Sequence, residues 1–167
     1  DELHAVLRAD MTTEQLREAV SFCVSKANAA VKRHAQEHTE CHGMGTTLVS
    51  AVTNGSGAVI CNVGDSRAYL LRDGDFQQIT QDQSLVQELV NQGVLTPELA
   101  AHHPMRNVIT RAVGTDEGVE VDLFTKERKL GDIWLLCTDG LSGMVPDEDI
   151  ARILRTKAPE AAADALL

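Results

Sequence analysis

Between Thr46 and Thr80 four short apolar runs follow one another closely, and that succession constrains the fold more than any other feature of the chain. The runs are Thr46 to Thr53 (TTLVSAVT), Gly57 to Val63 (GAVICNV), Ser66 to Arg72 (SRAYLLR) and Phe76 to Thr80 (FQQIT). Runs of this length, bounded by turn-forming residues, read as β-strands. Asn54-Gly55-Ser56-Gly57 and Asp73-Gly74 stand between them as hairpin signals. Consecutive strands joined by tight turns predict an antiparallel meander.

Helical patterns bracket this region. Thr12 is placed to cap a first helix, with Gln15 as its capping-box partner. Leu16, Val20, Cys23, Val24, Ala27, Ala30 and Val31 then recur at helical spacing and predict one apolar face. The pattern fades through His34 to His42. Beyond the strands, Ser84 to Gln92 reads as a helix that Gly93 terminates. Thr96-Pro97-Glu98 opens a short helix in the favoured order of cap, proline and acid. Pro104 ends it, and Asn107 to Val113 predicts another turn or two of helix. Val119 to Thr125 reads as a strand. Asp132 to Cys137 (DIWLLC) is nearly all apolar, so it is expected to be a strand buried on both faces. Asp147 to Leu154 and Pro159 to Leu167 are the last two predicted helices. Strands bracketed by helices predict an α+β layered sandwich rather than a doubly wound parallel sheet.

Composition narrows the function classes. The chain has 167 residues, which suits a single domain. One Trp, one Tyr and three Phe leave the core to Leu, Val, Ile and Ala. The net charge is −10 with no Lys/Arg cluster, so a nucleic-acid backbone is repelled rather than held. No apolar run approaches about 18 residues and no signal-peptide pattern is present, so no membrane segment is expected. Cys23, Cys41, Cys61 and Cys137 form no CxxC pair and read as small buried apolar residues in a reducing compartment, which makes the cytoplasm the expected location.

Two carboxylates stand out by position. Asp139 follows the apolar strand and precedes Gly140 in LLCTDGLSG. An acid at the exit of a rigid strand, with a glycine beside it, suits a carboxylate held against a cation. The alternative is an ordinary turn aspartate. Asp65, in Asn62-Val-Gly-Asp-Ser-Arg67, has the same character. There Gly64 and Asp65 could form a tight hairpin, with Arg67 paired to Asp65 as structure.

Together these segments resemble the PPM family, the type 2C protein phosphatases, and its bacterial members in particular. The matching stretches are Gly43-Met-Gly-Thr-Thr47, Val63-Gly-Asp-Ser-Arg-Ala-Tyr-Leu70 and Ile79-Thr-Gln-Asp82. Val90 through Thr96-Pro-Glu98, His103-Pro104 with Arg106, and Leu136-Cys-Thr-Asp-Gly-Leu141 complete the ordered set. The resemblance implies an α-β-β-α four-layer sandwich with two antiparallel sheets. It implies two divalent cations, Mn²⁺ or Mg²⁺, whose shared water attacks phosphoserine or phosphothreonine in line. Asp139 matches a carboxylate that binds the paired metals, and Asp65 matches a ligand of a weaker third. Residues 84–114 match a mobile flap that influences substrate choice, and Asn107 falls where some relatives place a residue near the third metal.

The resemblance also implies elements that these residues lack. The family places an Asn-Glu-Asp element, a phosphate-gripping Arg and an Asp-Gly-Met-Gly-Gly loop before the first helix, and an Asp-Asn pair after the last one. Residues 1–167 are therefore expected to be a single partial catalytic domain, incomplete at both ends. The absence of an initiator Met before Asp1 and the end at Leu167 inside a helical pattern carry the same expectation. Asp139 and Asp65 are the expected metal ligands, no residue is assigned a catalytic role, and the substrate-binding residues are left open. Many relatives carry an acid at the position of Gly143.

The implied partners are phosphorylated proteins, with a serine/threonine kinase as the opposing activity. Such a fragment is expected to be inactive by itself. Two other readings remain: a non-catalytic pseudophosphatase that binds phosphoproteins, and an acidic structural domain. His34, His38 and His42 recur every fourth residue, a spacing that can bind zinc, but their polar neighbours favour a solvated face. His102-His103 is expected to order the loop before Pro104.

Overall fold

The computed structural model describes residues 6–8, 10–55 and 57–167. Helix α1 (Thr13–Glu37) starts where the capping box places it. The Thr12 hydroxyl accepts from the Gln15 N–H at 3.2 Å, and Gln15 Oε1 accepts from the Thr12 N–H at 2.8 Å. A 3₁₀ turn, Thr39–Cys41, follows. Six strands come next: β1 (Leu48–Thr53), β2 (Gly57–Val63), β3 (Arg67–Arg72), β4 (Asp75–Gln78), β5 (Asp122–Glu127) and β6 (Ile133–Cys137). Helices α2 (Leu85–Asn91) and α3 (Pro97–Ala101) interrupt them, and α4 (Asp139–Ser142), α5 (Asp147–Thr156) and α6 (Pro159–Leu166) close the chain.

The strands form two antiparallel sheets, ordered β1-β2-β5 and β4-β3-β6. The expected meander is thus corrected: the chain leaves one sheet after Val63 and enters the other at Arg67. Alternation along β2 explains why. Val59, Cys61 and Val63 pack against Leu16, Val20 and Val24 of α1. Ala58 and Ile60 point the other way, onto Ala68 and Leu70 of β3. A strand covered on both faces is buried throughout, as β2 is. On the far side Leu71, Ile133 and Leu135 meet Ile150, Leu154 and Ala162 of α5 and α6. The result is an α+β sandwich of four layers, helix, sheet, sheet and helix.

Other expectations are corrected by the same geometry. Residues 107–113 form no helix. They pass through a turn at Asn107 and a bend at Thr110, with Ile109 bridging Ser84 and Val113 bridging Thr46. Strand β6 is not buried on both faces, and Leu136 is 41% exposed, because β3 is its only partner among the described residues. Ala27 and Ala30, expected on the apolar face of α1, are exposed and line an open groove beside the edge strand β1. The buried residue on that turn is Asn28, which accepts from the Gly114 N–H at 2.7 Å and donates to the Asp116 carbonyl at 3.0 Å.

Cys23 and Cys61 are buried as expected, whereas Cys41 and Cys137 are half-buried. Burial pushes the Cys61 thiol up to about 11, which keeps it a neutral packing group. His34 and His38 stack at 4.0 Å, and among the described residues no group of three or more His, Cys, Asp or Glu is arranged to hold a metal ion. His103 orders its loop as expected, with Nδ1 accepting from the Met105 N–H at 3.1 Å. The Asn54 side chain closes the first hairpin by accepting from the Gly57 N–H at 2.6 Å, while Ser56 in that turn lies outside the described residues.

One ion pair ties the second sheet to the loop before β6. Asp132 receives Arg72 Nε and Nη2, both at 2.8 Å, and the Lys129 N–H at 2.8 Å. The Arg72 hydrogen bonds hold the Asp132 carboxyl at about 2, below the usual carboxylate range. Its folded pKa is depressed, so the pair contributes stability above the unfolded pKa of about 3.9 and loses it as pH falls towards 2. Urea titrations from pH 5 to pH 2 are expected to show a shallower acid loss of stability in Asp132→Asn than in the wild type. Parallel curves would contradict this assignment.

Candidate functional site

The antiparallel register of β3 and β6 builds the site. Arg67 lies opposite Cys137, so the entry of β3 stands beside the exit of β6. Asp65 precedes that entry and Asp139 follows that exit. Residues remote in sequence therefore meet at one end of the sandwich. They line a cleft of about 380 Å³ together with Arg67, Asp82, Arg106 and Asn107.

Asp65 sits in the crossover between sheets, and not in the hairpin that was the alternative. Gly64 makes this crossover possible. Its φ is +99°, and a Cβ there would lie 2.5 Å from Thr47 Cγ2. The turn is pinned further by Thr47 Oγ1 and Ser66 Oγ at 2.9 Å, and by Asn62 Nδ2, which donates to the Gly64 carbonyl at 3.1 Å and the Gln81 carbonyl at 3.2 Å. Asn62 Oδ1 is buried with no hydrogen-bond partner among the described residues. Such an atom costs about 1–3 kcal/mol.

The Arg67–Asp65 pairing that belonged to the hairpin alternative does not occur among the described residues. Arg67 instead grips Asp82, with Nε at 2.9 and 3.1 Å from its two oxygens and Nη2 at 2.7 Å. Arg67 Nη1 also donates to Tyr69 Oη at 3.1 Å, and that hydroxyl donates to Asp147 Oδ1 at 3.1 Å. Burial and the neighbouring charge of Asp139 together raise the Asp65 carboxyl above its ordinary value, burial contributing most. The Asp65 carboxylate has its own backbone N–H as a donor, and among the described residues no hydrogen bond or ion pair claims the Asp139 carboxylate. Two adjacent anions without a cation are costly, which is the electrostatic condition that a divalent ion relieves.

Sequence reasoning placed Asp65 and Asp139 but missed the role of Asp82. Its only signal was the Ile79-Thr-Gln-Asp82 stretch, because nothing local indicates that Arg67 reaches it. Arg106, on the segment between α3 and Ile109, lines the cleft as a guanidinium that no carboxylate has claimed among the described residues. Asn107 also lines the cleft. Gly143 is fitted to the turn after α4: its N–H donates to the Asp139 carbonyl at 2.8 Å, and a Cβ would lie 2.7 Å from that oxygen. An acid at this position requires the turn to shift.

A family model described as Protein phosphatase 2C matches residues 2–165. The chain belongs to the protein phosphatase 2C family. It is 40% identical over 147 residues to the serine/threonine phosphatase stp of Listeria innocua, covering 88% of this chain and 58% of that protein. It also superposes on serine/threonine phosphatase Stp1 from Staphylococcus aureus with a TM-score of 0.89 at 40% identity, over 99% of this chain and 66% of that one. The catalytic domain of the phosphatase PstP, solved in complex with 2 manganese ions, matches with a TM-score of 0.86 at 37% identity, over 98% of this chain and 68% of that one. This type 2C chain thus spans 58% of the length of its Listeria relative. Among the described residues no helix is long and apolar enough to cross a membrane.

Proposed function

We propose that the chain is part of a single type 2C catalytic domain that hydrolyses phosphoserine and phosphothreonine in proteins. The observation that carries this reading is the convergence of Asp65 and Asp139 on one cleft in a chain of this family. Mg²⁺ and Mn²⁺ prefer hard oxygen donors, and Mg²⁺ is commonly held by one or two carboxylates plus waters. The pair therefore fits one divalent cation. Two cations need more oxygens, and among the described residues no group of three or more His, Cys, Asp or Glu is arranged to hold a metal ion.

When bound, such cations supply positive charge that polarises phosphoryl oxygens and acidifies water. The chain's own residues supply the setting. Asp65 and Asp139 present carboxylate oxygens that no side chain claims among the described residues. Arg67 neutralises Asp82, so this third carboxylate of the cleft does not compete for the cation. Arg106 offers a positive group to the phosphate or to an acid beside it. Residues 84–114 form the flap, and its exposed Val94, Leu99, Met105 and Val108 offer apolar contacts to a substrate protein. The proposed setting is the cytoplasm, in opposition to a serine/threonine kinase, with Mn²⁺ or Mg²⁺ in the paired sites and a weaker third.

The test compares this 167-residue chain with the intact domain. With p-nitrophenyl phosphate and Mn²⁺, the chain is expected to release no more product than a metal-only blank. The intact domain is expected to turn over a phosphothreonine peptide in a Mn²⁺-dependent manner. Robust turnover by the chain alone, abolished in Asp139→Ala, contradicts the ligand count. An inactive intact domain favours phosphoprotein binding instead.

A further inference from the structure

The geometry points to Gln83 as the positioning residue that aims the Asp65 turn at the cation. Gln83 is 7% exposed and lies between β4 and α2. Both ends of its amide are engaged. Oε1 accepts from the Gly64 N–H at 2.8 Å, and Nε2 donates to Asp122 Oδ2 at 2.8 Å. A carboxylate only accepts, so Asp122 fixes which end of the amide faces Gly64. Arg111 in turn holds Asp122 through Nη1 at 3.3 Å and also pairs with Glu120 at 2.8 Å.

The Gln83 backbone adds two bonds. Its N–H donates to the Gly64 carbonyl at 3.0 Å, and its carbonyl accepts from the Thr110 N–H at 2.9 Å. Gln83 therefore holds both backbone groups of the residue before Asp65. It also anchors the neck of the flap, where Ser84 bridges Ile109. Among the described residues no side chain bonds to Asp65; its direction is set by the peptide that Gln83 grips. Second-layer groups of this kind typically change metal affinity about 10–100-fold.

This inference rests on the reading of Asp65 as a cation ligand, and the experiment separates the two. Mn²⁺ affinity is measured on the 167-residue chain by electron paramagnetic resonance of free Mn²⁺, with thermal unfolding recorded alongside. Asp65→Asn is expected to weaken binding; unchanged affinity in that variant removes Asp65 from the site. Gln83→Glu keeps an acceptor for Gly64 but sets a carboxylate against Asp122, and is expected to weaken Mn²⁺ binding about tenfold or more. The double variant Gln83→Glu with Asp122→Asn reverses the polarity of that hydrogen bond at constant net charge. It is expected to restore affinity to within about threefold of wild type, the ordinary spread of such context effects.

A merely stabilising role for Gln83 lowers the unfolding temperature of Gln83→Glu and leaves its Mn²⁺ affinity intact, which overturns the inference. So does a folded double variant whose affinity stays low. If Gln83→Glu fails to fold, the double variant alone decides.

Discussion

In the intact domain, Asp139→Ala is expected to lower turnover of a phosphothreonine peptide by about 10²–10³-fold. Charge stabilisation by a bound cation is worth several kcal/mol in the transition state, and each 1.36 kcal/mol is about tenfold in rate. Losing about 3–4 kcal/mol of it gives the stated range. The fold should not suffer. The Asp139 side chain is exposed at the start of α4 and its carboxylate has no partner among the described residues. Substitutions at such positions usually shift stability by no more than about 0.5 kcal/mol. A loss of rate without a loss of unfolding temperature is therefore the expected signature. Wild-type kinetics in a folded Asp139→Ala protein would remove this residue from the proposed site.

Asp82→Ala is expected to destabilise the chain by about 2–3 kcal/mol. The Arg67–Asp82 pair has side-chain exposures of 26% and 13%, so the guanidinium loses its charge partner in a largely enclosed place. Breaking a fully buried pair costs about 3–5 kcal/mol, and the lower figure allows for the solvent that still reaches Arg67. For a chain of this size each kcal/mol shifts the melting temperature by about 2–4 °C, giving a drop of about 4–12 °C. The double substitution Asp82→Leu with Arg67→Met should recover part of that loss, because it leaves no buried charge. Calorimetry of wild type, Asp82→Ala and the double variant checks this, and an Asp82→Ala melting point equal to wild type would show that the pair carries no net stability.

Local chemistry was legible from the sequence wherever the cause was local. The capping box at Thr12, the proline-led helix at Pro97, the turn glycines and the strand Gly57–Val63 all follow from residues within a few positions of one another. The two candidate carboxylates were legible too, as acids at strand ends beside glycine. What misled was any inference that needed to know what lay across from an element. The run Asn107 to Val113 has helical spacing, but its backbone partners are Ser84 and Thr46. The strand Ile133–Cys137 reads as fully buried, but it has one neighbour among the described residues.

The sequence by itself therefore determined most of the elements, the layered α+β class and the family. Periodicity, caps and turn residues act over single turns of chain. Only the tertiary structure decided that the four successive strands divide between two sheets, because the two faces of Gly57–Val63 need different cover. Only it decided that Arg67 binds Asp82, which follows β4 on the other side of β3, and that Asp65 stands beside Asp139 through the register of β3 against β6. That register sets the entry of one strand beside the exit of the other, and with it the distance between two anions that no sequence spacing records.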